Sequence, residues 1–334
     1  MATGLSRHRH GGLAALALWL LAALLTVQAA TPARQLAFRR DGLTLHYRLQ
    51  PPPALAAGAI QSFSLSLPAQ TLLGTFRPWK PDAARRILYT RVLQAASQQW
   101  PDARLRVEPG GDWPIAIHTG DAKQLPEIRA WLDQQMQQEL ATLLKESYLQ
   151  QASGPWGENG IRPDYARLIE ESSSELGDVA EALLQLAGGE QADPRTRLQW
   201  LLLFVQTIPY QTLQSRDGLR GSGFLLPRQV LLENRGDCDS KSALLASLWR
   251  YLQPDIPSRM VLVPEHALLA LALPAAPGEE TLTVDGQPWL LVEPTGPAVL
   301  PVGQLGEESR LYIRTGRVQT VPTQPTDTNS MPSK

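Results

Sequence analysis

Hydrophobic and polar positions change their period several times along the chain, and the changes predict a mixture of helices and strands. Apolar residues recur at three- and four-residue spacing, typical of amphipathic helices, over 82–98, 126–150, 178–187 and 194–206. Alternation with a period of two, or a short apolar run, predicts strands at 43–49, 63–67, 105–107, 115–117, 261–263, 266–273 and 289–293. The pattern therefore predicts an α+β protein.

Residues 152–160 are rich in glycine and contain a proline, so we expect a domain boundary there. A smaller α+β domain would cover 31–155 and a larger domain 156–319. The smaller domain discloses no function of its own and is a candidate for binding substrate or a protein partner. From residue 320 the chain is rich in proline, threonine and serine, and we expect a disordered tail over 320–334.

The first thirty residues have the pattern of a secretory signal peptide. Arg7 and Arg9 precede an apolar run at 13–27, and small residues follow it. The run is shorter than the roughly 18 residues that a membrane-spanning helix needs, so cleavage is expected. We therefore expect an exported, periplasmic protein without stable membrane insertion; the alternative is an inner-membrane anchor formed by an uncleaved signal.

The composition is that of a globular protein, with 43% hydrophobic residues, 19% charged residues and a net charge of −1. No basic stripe follows the chain, which argues against nucleic acid as a partner. A protein or peptide substrate is expected instead. No metal or cofactor site is predicted, because zinc would need more cysteine and histidine ligands than the chain supplies.

Cys238 is the single cysteine of the 334 residues and lies in the run NRGDCDSK at 234–241. Cysteines of exported proteins usually form disulfides, so a lone thiol needs another explanation, and nucleophilic catalysis is the best available. Leucines at helical spacing follow it at once, which places Cys238 at the start of a helix. We expect the helix dipole to stabilise the thiolate, and Gly236 to allow a tight approach of the backbone.

A thiol nucleophile needs a base and a group that orients the base. Outside the predicted signal the chain contains His46, His118 and His266, and the first two lie in the smaller predicted domain. Elimination therefore selects His266, which opens the strand at 266–273. The next strand ends at Glu293, and antiparallel pairing of the two strands would bring this carboxylate to His266.

Four segments resemble the transglutaminase-like superfamily, which uses a papain-like arrangement of cysteine, histidine and aspartate. They are FVQTIPY at 204–210, RGDCDSKS at 235–242, EHA at 265–267 and VEPT at 292–295. The resemblance covers 178–303 and implies a core in which the helix bearing Cys238 packs on an antiparallel sheet. It implies Cys238 as nucleophile, His266 as base and Glu293 as the acid.

The chain departs from that family at two positions. Glu293 stands where the family commonly has aspartate, and Asp239 follows the cysteine where the animal cross-linking enzymes have tryptophan. The pattern is closer to bacterial members that resemble periplasmic cysteine peptidases. We therefore expect thiol-dependent acyl transfer on amides, with hydrolysis by a cysteine peptidase or deamidase favoured because water is the default acceptor.

Each candidate residue also has an alternative explanation. Cys238 could be a buried structural thiol, His266 a hydrogen-bonded histidine at a strand end, and Glu293 an ordinary strand-end charge. Asp237 and Asp239 could cap the helix, pair with a neighbouring cation or bind a metal ion. Either Gln229 or Asn234 could join the Cys238 backbone N–H in stabilising an oxyanion. The competing function is a non-catalytic transglutaminase-like binding or assembly module.

Overall fold

The computed structural model describes residues 33–55, 58–68, 79–108, 115–153, 159–213 and 224–324. Within them the α-helices are α1 (Pro81–Gln99), α2 (Leu125–Glu146), α3 (Tyr165–Glu175), α4 (Gly177–Leu186), α5 (Pro194–Thr207), α6 (Pro227–Glu233), α7 (Cys238–Leu252) and α8 (Glu307–Arg314). The predicted α+β class is confirmed. The five predicted helices correspond to α1, α2, α4, α5 and, at Cys238, α7.

Four antiparallel sheets accompany the helices in these residues. Their strands are β1 (Arg34–Asp41), β2 (Thr44–Gln50), β3 (Gln61–Ser66), β4 (Ala103–Val107), β5 (Ile115–Thr119), β6 (Leu149–Ser153), β7 (Asn159–Pro163), β8 (Ser258–Val263), β9 (His266–Leu271), β10 (Thr281–Val284), β11 (Gln287–Val292) and β12 (Gln319–Pro322). All seven predicted strands have a counterpart among them.

The largest sheet has five strands in the order β10-β11-β9-β8-β12. Ala267, Leu269 and Leu271 of β9 belong to the main core on one face, together with the buried side chains of α7. Leu268 and Ala270 of β9 belong to a second core on the other face, against which residues of α8 pack. The sheet is thus covered on both faces, which explains the continuous apolar run that β9 shows in the sequence.

The first sheet, β1-β2-β3, joins the same main core. Tyr47 of β2 packs edge-on against Phe204 of α5, with ring centroids 5.0 Å apart. Apolar residues of β2 and β3 face the helices of the predicted larger domain because that is where enough apolar surface is available to bury them. The main core therefore crosses the boundary predicted at residue 155.

A separate small core forms between α1, α2, β4 and β5. Its buried members are Val92, Ala96, Ile115, Ile128 and Leu132. The segment that forms its own core, from α1 to α2, is therefore shorter than the predicted domain 31–155. Much of the predicted boundary segment, residues 154–158, lies outside the described residues.

Two predicted ends are corrected. The helix predicted to reach residue 150 ends at Glu146, because Tyr148 takes a left-handed backbone conformation (φ 54°) and the chain continues as β6. The tail predicted to be disordered from residue 320 begins as β12, whose residues 319–322 pair with 259–262 of β8. The rest of that tail, 325–334, lies outside the described residues, as does the predicted signal peptide.

In the part of the chain that the structure describes, no helix combines the length and the apolar character needed to cross a lipid bilayer.

Candidate active site

Cys238 is the first residue of α7, as the leucine spacing predicts. Asp237 caps the helix, since its carboxylate accepts a hydrogen bond from the Ser240 N–H at 3.3 Å. Gly236 precedes it in a crowded position, where a Cβ atom would lie 3.0 Å from Cγ of Lys241. The glycine therefore allows close packing of the backbone that leads to the cysteine.

The surroundings of the thiol differ from the expectation. Partial burial of Cys238, reinforced by the charges of Asp239 and Asp237, raises the pKa of the thiol to about 12. Hydrogen bonds from the backbone N–H groups of Ala267 and Asp239 act in the opposite direction but are weaker. The thiol pKa is therefore raised, not lowered as the position at the start of a helix predicts, because desolvation and two carboxylates outweigh the two backbone N–H groups.

Asp239 is the second carboxylate beside the thiol. It accepts hydrogen bonds from the Ser240 N–H at 3.0 Å and from the Tyr165 hydroxyl at 3.4 Å. Burial and the adjoining Asp237 carboxyl raise the pKa of Asp239 well above its usual value. The salt bridges considered for this pair are not formed, since Arg235 binds Glu233 and Gln211 while Lys241 binds backbone carbonyls. The two acids serve as helix cap and local negative charge.

His266 and Glu293 are brought together as predicted. Nε2 of His266 lies 2.9 Å from Oε1 of Glu293. With the proton on Nε2 donated to the carboxylate, Nδ1 is the imidazole nitrogen left with a lone pair. The remaining histidines of the described chain lie elsewhere: His46 is in β2 and bonds Ser64, and His118 is in β5.

Glu293 itself is firmly held. Its second oxygen, Oε2, accepts a hydrogen bond of 2.7 Å from the Gly306 N–H at the start of α8. Burial raises the pKa of Glu293, but hydrogen bonds from His266, Gly306 and Ser309 outweigh it, so that the pKa is lowered overall. An ionised carboxylate with both oxygens occupied is well suited to fix the orientation of an imidazole.

Cys238 and His266 reach the start of β9 from opposite faces of the five-stranded sheet. His266 and Glu293 lie on the face covered by α8, whereas α7 packs on the face that carries Ala267. The backbone N–H of Ala267, the residue after His266, acts to lower the pKa of the Cys238 thiol, so this N–H lies close to the sulfur. In the described part of the chain no hydrogen bond joins the Cys238 sulfur to the His266 ring. The backbone at the start of β9 lies between the two side chains.

A cleft with a volume of about 360 Å³ opens on the His266 side of the sheet. His266 and Glu293 line it together with the turn before β9 and the first turn of α8. Three further carboxylates, those of Glu265, Glu307 and Glu308, lie in its wall. A group bound in this cleft would contact the imidazole directly.

The two side chains considered for the oxyanion have structural roles here. Oε1 of Gln229 accepts a hydrogen bond of 2.9 Å from the Leu226 N–H at the start of α6. Asn234 ends that helix in a left-handed conformation with φ of 47°. The Cys238 backbone N–H stays the predicted oxyanion donor.

Two buried polar residues of the site were not assigned from the sequence. Gln206 of α5 donates through Nε2 to the backbone carbonyl oxygens of Glu293 and Leu300. Lys241 of α7 binds three backbone carbonyls, and its burial lowers the pKa of the ammonium to about 7. Both look like ordinary helix-surface residues in a sequence, and only the resemblance of their segments to a known family marks them.

No family model, no curated protein and no solved structure matches the chain. Among the described residues, no group of three or more histidine, cysteine, aspartate or glutamate side chains is arranged to hold a metal ion.

Proposed function

We propose that the protein is a thiol-dependent acyl-transfer enzyme that acts on amide bonds, most simply by hydrolysis. The observation that carries the proposal is the contact between His266 Nε2 and Glu293 Oε1 at the start of β9, a strand whose opposite face packs against the helix that begins with Cys238. An imidazole held by a carboxylate, with its other nitrogen free, is the general-base unit that a thiol nucleophile requires. The resemblance to transglutaminase-like proteins, and with it a papain-like core, is part of this proposal.

The raised thiol pKa defines how such a reaction would proceed. Burial and the two carboxylates keep the thiol protonated, and the described structure shows no hydrogen bond between the Cys238 sulfur and the His266 ring. The reaction therefore requires substrate binding to bring the thiol to Nδ1 of His266, which takes the proton as the sulfur attacks the carbonyl carbon. The protonated imidazole then gives that proton to the leaving amine, and a thioester forms on Cys238. Water, deprotonated by His266, attacks the thioester, and the released thiolate regains a proton. Glu293 stabilises the imidazolium in both halves of the reaction.

A role for Cys238 in attack also explains why a thiol lies at this position. The Ala267 N–H, which acts to lower the thiol pKa, favours the thiolate as it forms and as it leaves. The Cys238 backbone N–H belongs to the first turn of α7, where N–H groups have no partner within the helix. Such a group is available to the oxyanion of the tetrahedral intermediate.

The proposal is tested by incubating a mixture of unmodified peptides with the protein and with Cys238→Ala. Hydrolysis of a backbone amide gives new peptide termini, and deamidation of glutamine gives a mass increase and free ammonia. Including a dansylated primary amine separates hydrolysis from transamidation, since an amine adduct reports the latter. The proposal predicts at least one of these products with the native protein and none with Cys238→Ala.

A second function is favoured by one observation, the pKa of about 12 for the Cys238 thiol. A thiol held in its protonated form is what a non-catalytic binding or assembly module would contain. That function predicts no product in the peptide assay with either protein. It also predicts that Cys238→Ala binds any protein partner as tightly as the native chain does.

A further inference from the structure

Lys241 is a fully buried lysine whose ammonium, within the described residues, donates to three backbone carbonyl oxygens. Its Nζ lies 2.7 Å from the Ile208 carbonyl oxygen, 3.4 Å from that of Gln206, and in close contact with that of Thr295. The side chain is 0% exposed, and no carboxylate pairs with it in the part of the chain that is described. A lysine ammonium has three N–H donors, and here each of them has one carbonyl acceptor.

The three carbonyls belong to two separate segments. Gln206 and Ile208 lie at the end of α5, whereas Thr295 lies two residues after Glu293 in the loop that leaves β11. Lys241 itself lies one helical turn after Cys238 on α7. One ammonium thus ties together the helix that presents the thiol, the end of α5 and the segment that carries the acid.

Gln206 reinforces the same connection from α5. Its Nε2 donates to the backbone oxygen of Glu293 at 2.9 Å and to that of Leu300 at 3.0 Å. Gln206 is 2% exposed. Both hydrogens of its amide are therefore used to hold the loop after β11, and one of them holds Glu293 itself.

The local backbone is shaped to accept the lysine. A Cβ on Gly296 would lie 2.6 Å from the Gln206 carbonyl oxygen and 3.5 Å from Nζ of Lys241. Gly236 packs from the other direction, where a Cβ would lie 3.0 Å from Cγ of the same lysine. The absence of a side chain at both glycines therefore leaves room for the lysine.

We propose that Lys241, together with Gln206, is a positioning residue that fixes Glu293 relative to the Cys238 helix and thereby holds the orientation of His266. A buried ammonium costs free energy, and an apolar side chain would fill the space without that cost, whereas only a multiple donor satisfies three converging carbonyls. The identification of Glu293 and His266 as catalytic rests on the proposed function. The positioning itself does not.

The test measures the coupling between His266 and Glu293 in a double-mutant cycle on the full chain. Urea unfolding of native, His266→Ala, Glu293→Ala and the double variant gives the coupling free energy of the pair. The cycle is then repeated in the background of Lys241→Met and, separately, in the background of Gln206→Met. The Gln206→Met background tests the proposal if the Lys241→Met chain does not fold. Leu248→Ala, a buried change two turns further along α7, is the matched control for general destabilisation.

The proposal predicts that the coupling is lost in both methionine backgrounds and kept in the Leu248→Ala background. A coupling free energy between His266 and Glu293 that persists in both methionine backgrounds overturns the proposal. A native chain in which the two residues show no coupling overturns it as well. Acylation of Cys238 by p-nitrophenyl acetate, followed by intact mass, is measured on the same proteins. Loss of coupling together with no acylation of the native chain would retain the positioning role and reject the proposed function, so the two failures are distinguishable.

Discussion

Glu293 reaches His266 across a diagonal of the sheet. The register of β11 and β9 pairs Val292 with Leu269, and one further residue places Glu293 opposite Leu268, two positions along the strand from His266. Diagonal neighbours on one face are about 7–8 Å apart, within reach of long side chains only. The contact of 2.9 Å between Nε2 and Oε1 therefore depends on the length of a glutamate.

This geometry predicts that Glu293→Asp is as harmful as loss of the charge. The shorter side chain retains the carboxylate but falls short of the imidazole. Glu293→Gln retains the reach but does not stabilise the imidazolium. Both variants should lower the rate of Cys238 acylation by p-nitrophenyl acetate by about 10²-fold, the scale of a general-base contribution. An aspartate variant with native activity would show that the diagonal reach is unimportant.

The charge of Asp239 should suppress the reactivity of the thiol. Because the pKa of Cys238 is raised to about 12, iodoacetamide alkylation of the native protein should keep rising above pH 9 without a plateau. Asp239→Asn removes the largest charge contribution, so the pKa of the Cys238 thiol should fall and alkylation at pH 8 should be severalfold faster than in the native protein.

Asp193→Asn is the control for that experiment, since it removes the charge of a carboxylate that caps a different helix, α5. Asparagine caps helices about as well as aspartate, so α5 is preserved in the control. Equal alkylation rates for the native protein and Asp239→Asn would contradict the electrostatic explanation of the raised thiol pKa.

The lowered pKa of Glu293 links the stability of the protein to acidic pH. The folded state binds fewer protons at this carboxyl than the unfolded state, so the contribution of Glu293 is complete above about pH 4.5 and is lost as pH falls through the folded pKa. The urea midpoint of the native protein should exceed that of Glu293→Gln at pH 6, and the difference should shrink on acidification towards pH 3. A difference between the two urea midpoints that grows on acidification would mean that folding raises the pKa of Glu293 instead of lowering it.

A buried hydroxyl in the first sheet predicts a stabilising substitution. The hydroxyl of Tyr47 is buried and has no hydrogen-bond partner within the described structure, and burial raises the pKa of that phenol. Tyr47→Phe should raise the free energy of unfolding by about 1 kcal/mol, because an unsatisfied polar group is removed.

Tyr148→Phe is the matched comparison, since the Tyr148 hydroxyl donates to Glu171. This variant should destabilise the protein by about 1 kcal/mol. Chemical unfolding followed by tryptophan fluorescence measures both. A destabilised Tyr47→Phe would mean that the hydroxyl has a partner in solution.

Local pattern was sufficient to predict most elements of the fold. The start of α5 at Pro194 follows from the Asp193 cap and a proline at the first position, and the Asp285–Gly286 turn follows from residues that tolerate positive φ. The packing of Tyr47 on Phe204 could not be predicted, because residue spacing does not say which apolar faces meet. The domain boundary was consequently placed where turn-forming residues cluster rather than where the core divides.

The candidate site shows the same limit. Elimination among the histidines selects His266 and antiparallel strand pairing selects Glu293, and the contact between the two is confirmed. The raised pKa of Cys238 was missed because it depends on burial and on how close Asp239 and Asp237 approach, none of which a sequence states. Lys241 was missed as a buried donor because its partners are backbone carbonyls, which any residue provides.

The Cys238–His266–Glu293 assignment is tested most directly by the rate at which p-nitrophenyl acetate acylates Cys238 at pH 7.5. The rate is measured by intact mass in the native protein and in His266→Ala. Since the thiol is protonated at that pH, acylation requires His266 to remove its proton. We expect a single acetyl group on Cys238 of the native protein and an acylation rate at least about 10²-fold lower in His266→Ala. Equal rates in the two proteins would contradict the Cys238–His266–Glu293 assignment.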